Sequence, residues 1–117
     1  MTASDRAREL LRIAAQAADS KQAEDLVALD VSGRLPFTDI FLLATGRNER
    51  NVSAIADEVE DKLIEHGAKP LRREGKAEGR WVLLDFGDIV VHVFHESDRV
   101  YYSLERLWQD SPTLPTL

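Results

Sequence analysis

The residue pattern predicts an α/β fold, a mixed sheet flanked by helices in the order α-β-β-α-(β)-β-β-α. Three observations carry that prediction. Gly79 to His95 set β-branched and apolar residues on both sides of Phe86-Gly87-Asp88, which reads as a hairpin because its turn holds a residue that tolerates positive φ. Asp39 to Thr45 is apolar almost throughout, the pattern of a strand buried on both faces and therefore central. On either side of that strand, apolar residues recur at helical spacing.

The first helix is expected between Ser4, a capping residue, and the polar stop Asp19-Ser20-Lys21, with Ala7, Leu10, Leu11, Ala14, Ala17 and Ala18 on one face. Leu26, Val27, Ala28, Leu29 and Val31 then lean toward a strand that Gly33-Arg34-Leu35-Pro36 ends. After Gly46 the period changes to that of a helix. Val52, Ile55, Ala56, Val59 and Leu63 keep one face, Asn48 can cap, and Gly67 can take the left-handed position beyond the last turn. Ala68 to Arg80 hold Pro70, Gly75, Gly79 and five basic residues, a connection that begins with a short extended piece at Lys69 to Arg73. The hairpin comes next. A last helix starts at Ser97 and Asp98, with Val100, Tyr101, Leu104, Leu107 and Trp108 along one side. Residues 1–110 are thus expected to form a single domain, and residues 111–117, which include Pro112 and Pro115, a disordered tail.

Composition narrows the function classes. The 117 residues suffice for one domain that buries roughly two thirds of its unfolded surface. The absence of cysteine excludes a disulfide framework, a thiolate metal site and a cysteine nucleophile, and makes the cytoplasm the default location. Met1 to Arg12 lack a basic region followed by an apolar run, so no signal peptide is expected, and no apolar stretch approaches the ~20 residues of a membrane span. A net charge of -6, from 21 acidic and 15 basic residues, repels phosphate backbones and disfavours direct nucleic-acid binding.

The hairpin also holds the groups that a hydrolase or metal enzyme would use. Asp85 and Asp88 flank its turn, and such carboxylates can hold Mg²⁺ or share acid and base roles. Aspartate is more often found at a hairpin turn because its side chain bonds local backbone amides. His92 and His95 are three apart on a strand and so point to opposite faces, which prevents them from chelating one ion as a pair. Thr45-Gly46-Arg47-Asn48 could cradle an anion on helix amides, but with one glycine it reads more simply as a tight turn and a cap. No serine stands in a nucleophile elbow, and His66 sits at a helix C-terminus, where a cation suits the dipole. Of the eight aromatic residues, Tyr101 and Trp108 belong to a helical stripe and read as core, whereas Trp81 and Tyr102 are candidates for partial exposure and for anchoring an interface.

Several motifs in one order resemble the Iojap family, also called ribosomal silencing factor RsfS. They are Thr38-Asp39-Ile40-Phe41 leading to Ala44-Thr45-Gly46; Glu49-Arg50-Asn51-Val52 with Ala54-Ile55-Ala56-Asp57-Glu58-Val59; Glu74-Gly75 and Gly79; Trp81-Val82-Leu83-Leu84-Asp85-Phe86-Gly87-Asp88; Val90-Val91-His92-Val93-Phe94; and Tyr102 with Leu104-Glu105-Arg106-Leu107-Trp108. The resemblance runs from about Ala23 to Asp110 and leaves out the first helix and the proline-bearing tail. It implies a protein without catalysis or cofactor that binds the large ribosomal subunit through its ribosomal protein number fourteen. There it would block association with the small subunit and repress translation. It also makes a homodimer plausible. An acidic domain would dock more readily on a basic ribosomal protein than on ribosomal RNA.

The family's fold is similar to that of minimal nucleotidyltransferases, which supplies the alternative of a Mg-dependent enzyme using Asp85 and Asp88. Those enzymes place Gly-Ser before a helix and an Asp-x-Asp pair on the next strand. Here the turn reads Thr45-Gly46-Arg47, and Leu83 stands two residues before Asp85, so the paired ligands are missing. For the partner-binding surface the expected residues are Arg72, Glu74, Trp81, Asp85, His92 and Tyr102, because Trp81, Leu83 and Asp85 share one strand face and His92 can lie beside them on the returning strand.

Overall fold

Helix α1 (Asp5–Ser20) starts where the Ser4 hydroxyl accepts the Ala7 N–H, and its alanine-rich stripe is buried, as the spacing predicts. The structure, a computed structural model, describes residues 2–99 and 110–116. Strand β1 (Glu24–Asp30) follows after a turn in which Gln22 takes a positive φ of 64°, and β2 (Ile40–Gly46) returns antiparallel to it. Helix α2 (Glu49–Glu65) is capped by Asn48, whose side chain accepts the Asn51 N–H at 2.8 Å, and Gly67 beyond it has φ 87°. Short β3 (Arg72–Glu74) leads to β4 (Trp81–Asp85) and β5 (Ile89–His95), the expected hairpin. α3 (Glu96–Arg99) lies where the last helix was expected to start, and the expected stripe of Val100, Tyr101, Leu104, Leu107 and Trp108 lies outside the described residues.

The six strands of the described residues, the last being β6 (Thr113–Leu114), form one mixed sheet in the order β3-β4-β5-β2-β1-β6, in which β2 and β5 are parallel neighbours and every other pair is antiparallel. The fold class is the one expected. β2 is central and closed on both faces, which accounts for its apolar run. Alternation divides the sheet. Ala28, Ile40, Leu42, Ala44, Val82, Leu84, Ile89, Val91 and Val93 point to α1 and α2, which pack side by side on one face and close the main core with Leu10, Ile55 and Leu63. Leu29, Val31, Leu43 and Phe94 point the other way, with Val27, Leu35, Phe41 and Trp81 packed around them.

One difference from expectation lies at the C-terminal end. The tail was expected to be disordered from residue 111, yet Thr113 and Leu114 form β6, paired with Leu29 and Ala28 of β1, and the Pro112 carbonyl accepts the Asp30 N–H at 2.8 Å. The flanking prolines exclude only their own amides from the ladder, so two residues between them still bond. The N-terminal end is tied to the same region, because the buried Asp30 carboxylate accepts the Ala3 N–H at 2.9 Å and both Ser32 donors. Burial opposes the charge on Asp30, but the bonds from Ser32 and Ala3, with Arg8 nearby, outweigh it and hold the carboxyl below its ordinary value.

The locally basic connection is drawn onto acidic residues. Arg73 pairs with buried Glu60 of α2 at 3.0 Å, Lys76 with Asp57, and Arg80 with Asp98 through two bonds of 3.0 Å. Gly75 and Gly79 permit the path, with φ of 80° and 65°. A Cβ on Gly75 would stand 1.9 Å from the Trp81 carbonyl oxygen. Among the described residues no helix is long and apolar enough to cross a membrane.

Candidate functional site

Five of the six expected partner-binding residues meet on the sheet face that α1 and α2 leave uncovered. Ladder register places Leu83 opposite His92, Trp81 opposite Phe94 and Asp85 opposite Val90, so these six side chains share a face. Across the next ladder Arg72 lies opposite Asp85 and Glu74 opposite Leu83, which adds both charged residues to the same side, where they pair at 3.5 Å. Arg73 turns to the helix side. Tyr102 lies outside the described residues.

Aromatic packing organises the centre of this face. The Trp81 and Phe94 rings lie 5.0 Å apart, the Phe94 and His92 rings are nearly coplanar in direction at 11° and 6.2 Å, and the edge of Phe41 meets His92 at 5.0 Å. Phe41 was not among the expected site residues. It comes from β2 through the parallel ladder with β5, and its alternation with buried Ile40 and Leu42 was the available signal.

His92 is 5% exposed, and the Trp81 indole Nε1–H donates to its Nδ1 at 3.2 Å. Because an indole nitrogen only donates, Nδ1 must carry the lone pair and the neutral ring holds its proton on Nε2. Burial pushes this imidazole from 6.5 down to about 4, against the opposing charge of Asp85, so the ring is neutral at pH 7. Nε2 is buried and has no hydrogen-bond partner among the described residues. An unsatisfied buried donor costs about 1–3 kcal/mol.

Several of the groups considered for catalysis take part in local structure. Asp85 Oδ1 accepts the Gly87 N–H at 2.9 Å and so builds the turn, while the Asp88 carbonyl accepts the Asp39 and Ile40 N–H groups and joins that turn to β2. His95 faces away from His92, with its Nδ1 2.7 Å from the Ser97 hydroxyl. At the start of α2, Asn51 accepts the Arg47 N–H at 3.0 Å. Gly46 is required by packing, since a Cβ there would stand 2.7 Å from a Val52 methyl. On this face partly exposed Trp81 and Asp85 lie over a buried centre of His92 and Phe94, and Arg72 and Glu74 form an exposed charged rim on β3.

Comparison with known proteins follows the same lines. Residues 4–116 match the family model described as "Ribosomal silencing factor during starvation". The chain is 49% identical over 105 residues to ribosomal silencing factor RsfS of Bacillus subtilis (strain 168), covering 90% of this chain and 89% of that protein. It is also similar to a crystal structure from Bacillus halodurans, with a TM-score of 0.82 and 46% identity over 92% of this chain and 98% of that one. A structure from Chromobacterium violaceum superposes with a TM-score of 0.85 and 37% identity, covering 87% of this chain and 85% of that one.

Proposed function

Since the chain belongs to the ribosomal silencing factor family RsfS, we propose that it binds the large ribosomal subunit through ribosomal protein number fourteen, blocks association with the small subunit and so represses translation. The observation that supports the site assignment is the shared sheet face of Trp81, Asp85, Arg72 and Glu74, with buried His92 bonded beneath Trp81, to which we add Tyr102. A partly exposed tryptophan held on a rigid ladder beside charged residues has the composition of an interface centre. The net charge of -6 supports docking on a basic protein, because opposite fields speed encounter and phosphate backbones are repelled.

The protein acts in this reading by occupying a surface, in the cytoplasm, with no reaction and no cofactor, and it can do so as a homodimer. Binding is tested by co-sedimentation with purified large subunits, followed by addition of small subunits. Travel with the large subunit and failure of intact ribosomes to form is the expected result. Protein left at the top of the gradient would overturn the reading and redirect attention to Mg²⁺ and nucleotide binding at Asp85 and Asp88.

A further inference from the structure

We propose that His92 is a positioning residue: its Nδ1 accepts the Trp81 indole N–H and thereby fixes the orientation in which the docking face presents that indole. This rests on the docking reading above. Among the described residues, the side chains next to His92 on its strand and across its ladders are apolar. Its neighbours on the same face of β5 are Val90 and Phe94, its ladder partners are Leu83 and Leu43, and the Phe41 ring meets it from the side. A phenyl ring would fill that place without carrying nitrogens into it. The imidazole instead leaves Nε2 unsatisfied among the described residues, and in return offers one acceptor to Trp81.

The geometry makes that acceptor effective. Trp81 opens β4 two residues after Gly79, which has a positive φ of 65°, and is partly exposed, with its ring packed on Phe94 at 5.0 Å. The directional bond to Nδ1 at 3.2 Å adds an angular constraint on χ1 and χ2 of the tryptophan that ring packing does not supply. The imidazole is itself held between Phe94, nearly parallel at 11°, and the edge of Phe41. Orientation therefore passes from Phe41 on β2 and the buried rings of β5 to the partly exposed ring on β4, and a preoriented aromatic anchor loses less freedom on binding.

The test uses the full chain and two readouts. The two tryptophans give two indole N–H signals in a ¹H–¹⁵N spectrum, and Trp81→Phe assigns the one in question. His92→Phe keeps the ring volume and removes the acceptor. His92→Asn places an oxygen where Nδ1 was. The expected result is an upfield shift of the Trp81 indole proton in His92→Phe with about tenfold weaker binding to large subunits, and recovery of both in His92→Asn. Should His92→Phe fail to fold, His92→Asn is compared with His92→Gln, whose oxygen sits nearer the Nε2 place and should not restore either readout. An unmoved indole signal, or unweakened binding in the variant lacking the acceptor, overturns the positioning role alone. Wild-type protein that does not bind large subunits overturns the docking reading and with it the purpose of the positioning.

Discussion

Acidification is the perturbation to which His92 should respond most. Burial holds the folded imidazole at about 4, whereas in the unfolded chain it titrates at its ordinary 6.5. Between those values the unfolded chain holds one more proton than the folded one, so stability falls as pH falls. The contribution of the neutral buried ring is complete above pH 6.5 and is lost as pH drops through about 4. At about 1.4 kcal/mol for each pH unit, that window is worth roughly 3 kcal/mol, a large share of the 5–15 kcal/mol typical of a domain. Asp85 is the charged neighbour that favours protonation, and it limits the fall while it remains ionised. Urea unfolding of the wild type and of His92→Phe, from about pH 7 to about pH 4, isolates the term because carboxylates common to both proteins cancel. The wild type should lose roughly 3 kcal/mol more than the variant over this range. Parallel stability curves for the two proteins would refute the burial argument.

Three other substitutions test separate parts of the structure. Trp81→Ala should weaken large-subunit binding by about thirtyfold or more, the equivalent of a ~2 kcal/mol interface anchor, with the circular dichroism spectrum unchanged; full binding by a folded variant would remove this face from the interface. Gly75→Ala should lower stability by about 3 kcal/mol, because its Cβ would meet the Trp81 carbonyl oxygen at 1.9 Å from a backbone with φ 80°, and an unchanged urea midpoint would contradict that geometry. Asn48→Ala should cost about 1 kcal/mol by removing the cap of α2, whereas Asn48→Ser should recover most of it in thermal unfolding.

The elements written locally in the chain were the legible ones. Ser4 and Asn48 announce helix starts because a short polar side chain satisfies amides three residues on, and the period of Ala7 to Ala18 or Val52 to Leu63 reports which face is buried. The hairpin was legible from Gly87 and from apolar residues on both sides of it. β6 was not, since Thr113 and Leu114 between two prolines carry no local strand signal and gain their order from β1, more than eighty residues earlier in the chain. The same distinction applies to the site. Alternation placed Trp81 and Asp85 on one face and allowed His92 to join them, but the arrival of Phe41 depends on which strand lies beside β5, and the tautomer of His92 depends on a bond between side chains on two strands. Asp85 bonds the turn for a local reason, the reach of an aspartate to the amide two residues ahead.

The parallel ladder at the centre of the sheet also governs how the molecule assembles. Its first pair joins Ile40 to Ile89, forty-nine residues on, while β1 with β2 and β4 with β5 are near neighbours in the chain. Each antiparallel hairpin closes a short loop, but neither has a finished core without the other. During synthesis, β2 must wait with an open edge until β5 has been made, by which point most of the chain has emerged. Folding should therefore be a late, concerted event governed by closure of that long loop, and a chain truncated before residue 89 should remain open to proteolysis at α1 and α2, with their apolar stripes exposed.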